Sequence, residues 1–145
     1  MKVLECSSRG DKRFSAFYAK IKFYGSYDSI ENHYQRVKRD ASGASVRKGQ
    51  KVNHIVINGM ALEAKYLTPL YTIMWVKYLD NNPDLVEYAK GFDDFNDMFK
   101  GKSINCQADV IRAYVKDGRR SLISDPLVQE LNKILKDMEK NNRNN

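Results

Sequence analysis

Apolar positions along this chain switch between two periods, and the switches mark its elements. Between Ala19 and Tyr24 they alternate, with Ala19, Ile21 and Phe23 on one side and Lys20, Lys22 and Tyr24 on the other. That period predicts a strand buried on one face. Gly25-Ser26 and Asp28-Ser29 break the run, and either Asp28 or Ser29 can cap a helix carrying residues 31–39. Residues 54–57 form a short apolar run that reads as a strand or extended connection, and Gly59 precedes an expected helical turn over residues 60–66. Thr68-Pro69 then provides a cap followed by proline, the start of a helix through Leu70, Ile73, Met74, Trp75, Val76 and Tyr78 to about Asp80. Apolar residues nearly encircle this segment, which makes it the expected core helix, with Trp75 inside.

The second half reads as helices. Asn81-Asn82-Pro83-Asp84 ends the core helix and starts another over residues 85–90, closed by Gly91. Phe92, Phe95 and Phe99 follow at helical spacing, which puts Asp93, Asp94 and Asp97 on the opposite side. These aspartates lack the ligand pattern and glycine of a calcium loop, and an acidic helix start accounts for the first two. Residues 108–115 read as a helix with Val110, Ile111 and Tyr114 inward, capped by Ser103, Asn105 or Gln107. Asp125-Pro126 opens the last helix, expected to reach about Lys140 on a stripe of Leu127, Leu131, Ile134, Leu135 and Met138. Together these elements predict a helix-dominated α+β fold with a small N-terminal β element, one domain over residues 1–140 and a disordered tail over residues 141–145.

Charge narrows the partners. Lysine and arginine exceed aspartate and glutamate by 25 to 18, a formal charge of +7 in 145 residues. Such a balance favours anionic partners: nucleic acid, nucleotide phosphates or acidic protein. Residues 40–53 are loop-like and basic, with Arg47, Lys48 and Lys51 beside Gly43 and Gly49. Glycine lets backbone amides approach a phosphate while the cations supply charge, although a solvated linker has the same composition. No Walker or dinucleotide fingerprint is present. Cys6, Cys106, His33 and His54 lack the number and spacing of a disulfide framework or a structural zinc site, so no metal and no cofactor is expected. No apolar run is long enough for a membrane span or a secretory leader, and the expected setting is a reducing cytoplasm.

The densest chemistry lies in Ser29-Ile30-Glu31-Asn32-His33-Tyr34-Gln35-Arg36-Val37-Lys38. On a helix, Glu31, Gln35 and Lys38 fall at i, i+4 and i+7 and share one face. A carboxylate, an amide and an ammonium beside aromatic rings suit a polar ligand and acid/base work. A solvated helix face has the same spacing.

Residues 14–38 resemble the NADAR family of N-glycosidases. That family carries an aromatic-Ser-Asn-aromatic segment, a glycine turn, and then Ser-x-Glu-His-aromatic-aromatic-Gln-x-x-Lys. Here Phe14-Ser15-Ala16-Phe17, Gly25 and the segment from Ser29 to Lys38 stand in that order. Ala16 replaces the family's amide, Asn32 takes the histidine position and His33 lies one place later. The Trp75 helix, the Asn82-Pro83 turn and the acidic-aromatic run from Asp94 follow the family's order, while its later tryptophan-glycine segment is absent. The resemblance implies hydrolysis of the N-glycosidic bond of an ADP-ribosylated base or related nucleotide. Glu31 would then be the catalytic carboxylate that stabilises the ribosyl cation or orients water. Gln35 and Asn105 would hold ribose hydroxyls or the base edge, Lys38, Arg47 and Lys48 would meet the diphosphate, and Tyr34 or Phe17 would stack on the base.

Two other functions fit the same residues. One is a non-catalytic nucleotide-binding protein, sequestering or regulatory, such as a phage uses against host defences. The other is a basic nucleic-acid-binding protein, for which affinity would fall steeply with salt and rise with strand length.

Overall fold

In a computed structural model, which describes residues 1–47, 49–97 and 107–143, the chain forms an α+β domain. Among the described residues, the β structure is divided among three small sheets. Strands β2 (Lys20–Phe23) and β3 (Ser26–Ser29) form an antiparallel hairpin with Ile21 opposite Asp28. Strand β4 (Lys38–Arg39) pairs with β5 (His54–Ile57), which pairs in turn with β6 (Met60–Glu63). Far apart in sequence, β1 (Val3–Glu5) and β7 (Asp94–Asn96) run parallel, with Leu4 opposite Phe95.

Both hairpins turn on two residues with positive φ: Tyr24 and Gly25 at 49° and 81°, Asn58 and Gly59 at 49° and 84°. This left-handed pair matches the twist of the flanking strands. Asn-Gly is the favoured composition for it, so Asn58-Gly59 makes residues 60–63 a strand. The helical turn expected over residues 60–66 is confined to a 3-10 turn at Ala64–Tyr66. Phe92 and Phe95 are buried, but on a turn and strand β7 rather than on one helix face. Phe99 lies outside the described residues.

Helix α2 (Leu67–Asp80) is the core element. It is apolar on nearly all sides, and Leu70, Met74, Trp75 and Leu79 are fully buried. It starts from the 3-10 turn, with Tyr66 rather than Thr68 at the cap position. Trp75 meets Tyr78 edge to face at 5.5 Å. Helix α3 (Pro83–Ala89) starts on Pro83, as its sequence requires. Helix α4 (Gln107–Arg112) continues as a π-helical turn, Ala113–Asp117, before α5 (Arg119–Ile123). The last helix, α6 (Pro126–Arg143), extends past its expected end near Lys140. The Asp125 carboxylate accepts from Leu127 N and Val128 N at its start, and Val128, Leu131, Leu135 and Met138 face the core. One continuous cluster joins Leu4, Phe14, Ile30, Ile55, Trp75, Phe95, Ile111 and Leu131. Among the described residues, no helix is long and apolar enough to cross a membrane.

Candidate active site

The site is built around the start of helix α1 (Ile30–Arg36). The first N–H groups of any helix have no partner within it. Here Ile30 N donates to Ala19 O at 2.9 Å, Glu31 N to Ala16 O at 2.9 Å, and Asn32 N to Ser29 Oγ at 3.1 Å. Ser29 is therefore the cap. Asp28 supports it from outside, accepting from Ser29 N, Asn32 Nδ2 and Arg36 Nη2, and these bonds hold its carboxyl down to about 2. The helix start is thus occupied by the chain itself, and the Phe14-to-Ala19 turn is locked against it.

That turn is fixed from below. Ser15 and Ala16 are buried, and Ala16 N donates to Gln107 Oε1 at 2.7 Å. The other end of the Gln107 amide donates to the Cys6 carbonyl. Gln107 opens α4 and is itself buried. A continuous hydrogen-bonded path therefore runs from strand β1 through Gln107 and Ala16 to the backbone of Glu31. Cys6, one residue beyond β1, is buried with its thiol pushed up to about 12 by desolvation, so it is inert.

Glu31, Tyr34 and Gln35 share one face of α1. Gln35 Nε2 donates to Glu31 Oε1 at 2.8 Å, the i,i+4 contact that the spacing predicts. Lys38 reaches the same face by another route. The helix ends at Arg36, Val37 is buried beneath it, and Lys38 is the first residue of β4, opposite Ile55. The expected helix over residues 31–39 is thus shorter, because pairing with β5 captures its end. Lys38 Nζ lies over the Tyr34 ring at 4.4 Å. Burial pulls the Lys38 ammonium below its ordinary value, and the Glu31 carboxylate draws it partly back.

Tyr34 packs edge to face on Tyr71 of α2, with centroids 5.1 Å apart. Burial pushes the Tyr71 hydroxyl far up, and Glu31, Asp97 and Tyr34 all lie near enough to add to the shift. Beside Tyr71, the Trp75 indole N–H has no hydrogen-bond partner of good geometry among the described residues. The result is a half-buried carboxylate with an amide and an ammonium on one side and a tyrosine wall behind.

The remaining expected residues are less closely gathered. Phe17 follows Ala16, but the residue is 55% exposed. Arg47 is exposed, and its side chain forms no hydrogen bond or ion pair among the described residues. Its loop is more ordered than a linker: the Asp40 carboxylate accepts from Ser42 N and Ala44 N, and Val46 N returns to Lys38 O at 3.4 Å. Lys48 and Asn105 lie outside the described residues. His33, one place beyond the family's histidine, faces away from Glu31. It is buried against Phe23, with Nε2 3.0 Å from Ile21 O.

Tyr71, Asp97 and Gln107 are the site neighbours that local sequence did not single out. Tyr71 lies within an apolar run, Gln107 is one of three expected caps, and strand β7 takes residues 94–96 out of the helical spacing expected for Asp97. The aspartates part company: Asp93 accepts from Lys2 N at 2.7 Å, Asp94 pairs with Arg112, and burial raises the proton affinity of the Asp97 carboxyl against an opposing effect of Gln107. Among the described residues, no cluster of histidine, cysteine, aspartate and glutamate could hold a metal. No family model matches this chain, and no curated protein matches it.

Proposed function

We propose that this protein is a hydrolase of the N-glycosidase type, related to the NADAR family, which cleaves an ADP-ribosylated base or related nucleotide in the cytoplasm. The observation that carries this reading is the Glu31 carboxylate, held by Gln35 at 2.8 Å beside Lys38 and in front of Tyr34 and Tyr71. When the C–N bond breaks, positive charge develops on the ribosyl carbon, and a fixed carboxylate stabilises it more than it stabilises the substrate. In this reading the Glu31 oxygen not held by Gln35 faces that carbon or orients the attacking water. Lys38, already partly stripped of water, gains from an approaching phosphate because the anion offsets its burial. Arg47 and Lys48 extend the same charge to the diphosphate, Phe17 and Tyr34 offer rings to a base, and Asn105 and Gln35 supply polar contacts.

Single-turnover cleavage of ADP-ribosyl-base substrates by the native protein and Glu31→Gln tests this function. The variant is nearly isosteric and keeps the Gln35 neighbour, so folding and most ligand binding should persist. Loss of the charge should slow cleavage by about 10²–10⁴-fold. Equal rates would remove Glu31 from the chemistry. Tight nucleotide binding without cleavage by either protein would identify a sequestering protein. Binding that rises with strand length and collapses with salt would point to nucleic acid itself as the ligand.

A further inference from the structure

Behind the Glu31 face, helix α1 borders a second cleft. His33, Arg36 and Val37 fall on the side of the helix away from Glu31 and Gln35. There they meet the turns of both hairpins around a space of about 280 Å³. We propose that this cleft binds a phosphate monoester carried on a small organic body, at a site separate from the one built on Glu31. The inference does not depend on the hydrolase reading.

The sign of the ligand comes from the arginines. Arg36 and Arg39 both line the cleft, and no carboxylate lines it among the described residues. Arg39 follows Lys38 on β4, and alternation along a strand sends successive side chains to opposite faces. Lys38 therefore lies over Tyr34 on the Glu31 side, while Arg39 borders the cleft.

Both guanidinium groups are oriented by the chain itself. Arg39 Nη1 donates to Arg36 O at 2.6 Å and to Lys38 O at 2.9 Å. Its Nε and Nη2 have no partner among the described residues. Arg36 Nη2 donates to Asp28 Oδ2 at 2.6 Å, an ion pair that offsets part of its charge. Arg36 Nη1 lies 3.4 Å from Nδ1 of His33, a buried residue whose Nε2 stands 3.0 Å from Ile21 O. A carbonyl only accepts, so Nε2 carries the proton and Nδ1 offers its lone pair to Arg36. His33 is thus a positioning residue for Arg36. Side chains fixed before binding lose less freedom when a ligand arrives.

The rest of the lining sets the form of the ligand. A guanidinium fork pairs with two oxygens of one anion, and a phosphate monoester keeps a third for a second arginine, which a carboxylate lacks. Ser26 and Asn58, at the two hairpin turns, add a hydroxyl and an amide. Phe23, Val37, Val56 and Ile57 make the remaining wall apolar, a surface that suits an organic body rather than a bare ion. The space lies just below the range of about 300–1,000 Å³ common for small-molecule sites, so that body is small.

Amide NMR spectra of the full chain, titrated separately with adenosine monophosphate, adenosine and inorganic phosphate, test the site. Adenosine monophosphate should move the signals of Ser26, Val37 and Asn58 to saturation, and adenosine should not. Inorganic phosphate should move them with an affinity about tenfold weaker. Arg39→Gln should weaken adenosine monophosphate at these signals by about 10- to 100-fold, with a melting curve reporting that it is folded. Asn58→Asp is a second variant that spares the turn, because Asp-Gly also suits two positive φ angles, while its carboxylate repels the phosphate. It should weaken binding about tenfold. Glu31→Gln should leave these shifts as they are. Movement confined to Glu31, Tyr34 and Gln35, or native affinity in either folded variant, would overturn the second site. Equal affinity for adenosine would overturn the phosphate, and equal affinity for inorganic phosphate would overturn the organic body.

Discussion

Trp75 and Gln107 are both buried below the candidate site, and they are held by opposite kinds of force. Trp75 is at 0% exposure among apolar side chains of α2 and its neighbours, and its one polar atom has no well-formed partner among the described residues. Gln107 is at 6% exposure because both ends of its amide are used, one by Ala16 N and one by the Cys6 carbonyl. A tryptophan in such a place contributes by area and fit, with little dependence on orientation. A buried amide contributes by orientation, since its hydrogen bonds are worth little net but are expensive to leave unmade. The first anchor supplies stability, and the second fixes where the Glu31 turn sits.

The largest effect expected from separating these roles is at Trp75. Trp75→Ala should cost about 3–5 kcal/mol from lost burial and a residual cavity. Chemical denaturation should show a lower midpoint with a similar slope. Trp75→Phe should cost less, because it keeps a ring and removes an N–H that has no well-formed partner among the described residues. If the alanine variant cost no more than the phenylalanine variant, the core would not be packed around the indole.

Gln107→Ala should come next. It leaves Ala16 N and the Cys6 carbonyl without side-chain partners, at about 1–3 kcal/mol for each group that stays dry. Its distinguishing effect is functional: the Phe14-to-Ala19 turn loses its support, so turnover should fall further than Trp75→Phe lowers it. Comparing kcat for the two variants under conditions where both remain folded sharpens the contrast. If kcat followed stability alone in both, Gln107 would be a core residue like any other.

This contrast also explains what could be read along the chain. The α2 helix, the burial of Trp75, the first hairpin strand and the α6 stripe follow from periodicity, because burial against neighbours of any identity suffices. The i,i+4 pairing of Glu31 with Gln35 was equally local. Gln107 meets Ala16 across 91 positions, and no local pattern announces such a partner. The same holds for β7: Phe92 and Phe95 have helical spacing, but pairing of Leu4 with Phe95 makes the second a strand residue. Lys38 keeps its place near Glu31 although the helix stops two residues earlier, since β4 delivers it instead. Asn58-Gly59 differs, because its hairpin signal is local: the pair turns the chain with two positive φ angles, where Gly59 alone suggests the approach to a helix.

The smallest expected effect tests the environment of Asp97 through stability rather than turnover. Its carboxyl has a raised proton affinity in the folded chain, with burial the largest cause. The folded state therefore binds more protons than the unfolded state between the ordinary carboxyl value and the raised one. The stability linked to this group is fully present at pH below the ordinary value of 3.8 and is lost as pH rises through the folded-state value. Asp97→Asn cannot ionise and escapes that loss. Relative to the native protein, the variant should gain stability from pH 3.5 toward neutrality and then level off once Asp97 is ionised in both states. Denaturation midpoints of the two proteins across that range provide the measurement. A difference that did not change with pH would place Asp97 in an environment like water. One that shifted the other way, with the native protein gaining on the variant as pH rises, would mean that Gln107 and other donors outweigh burial.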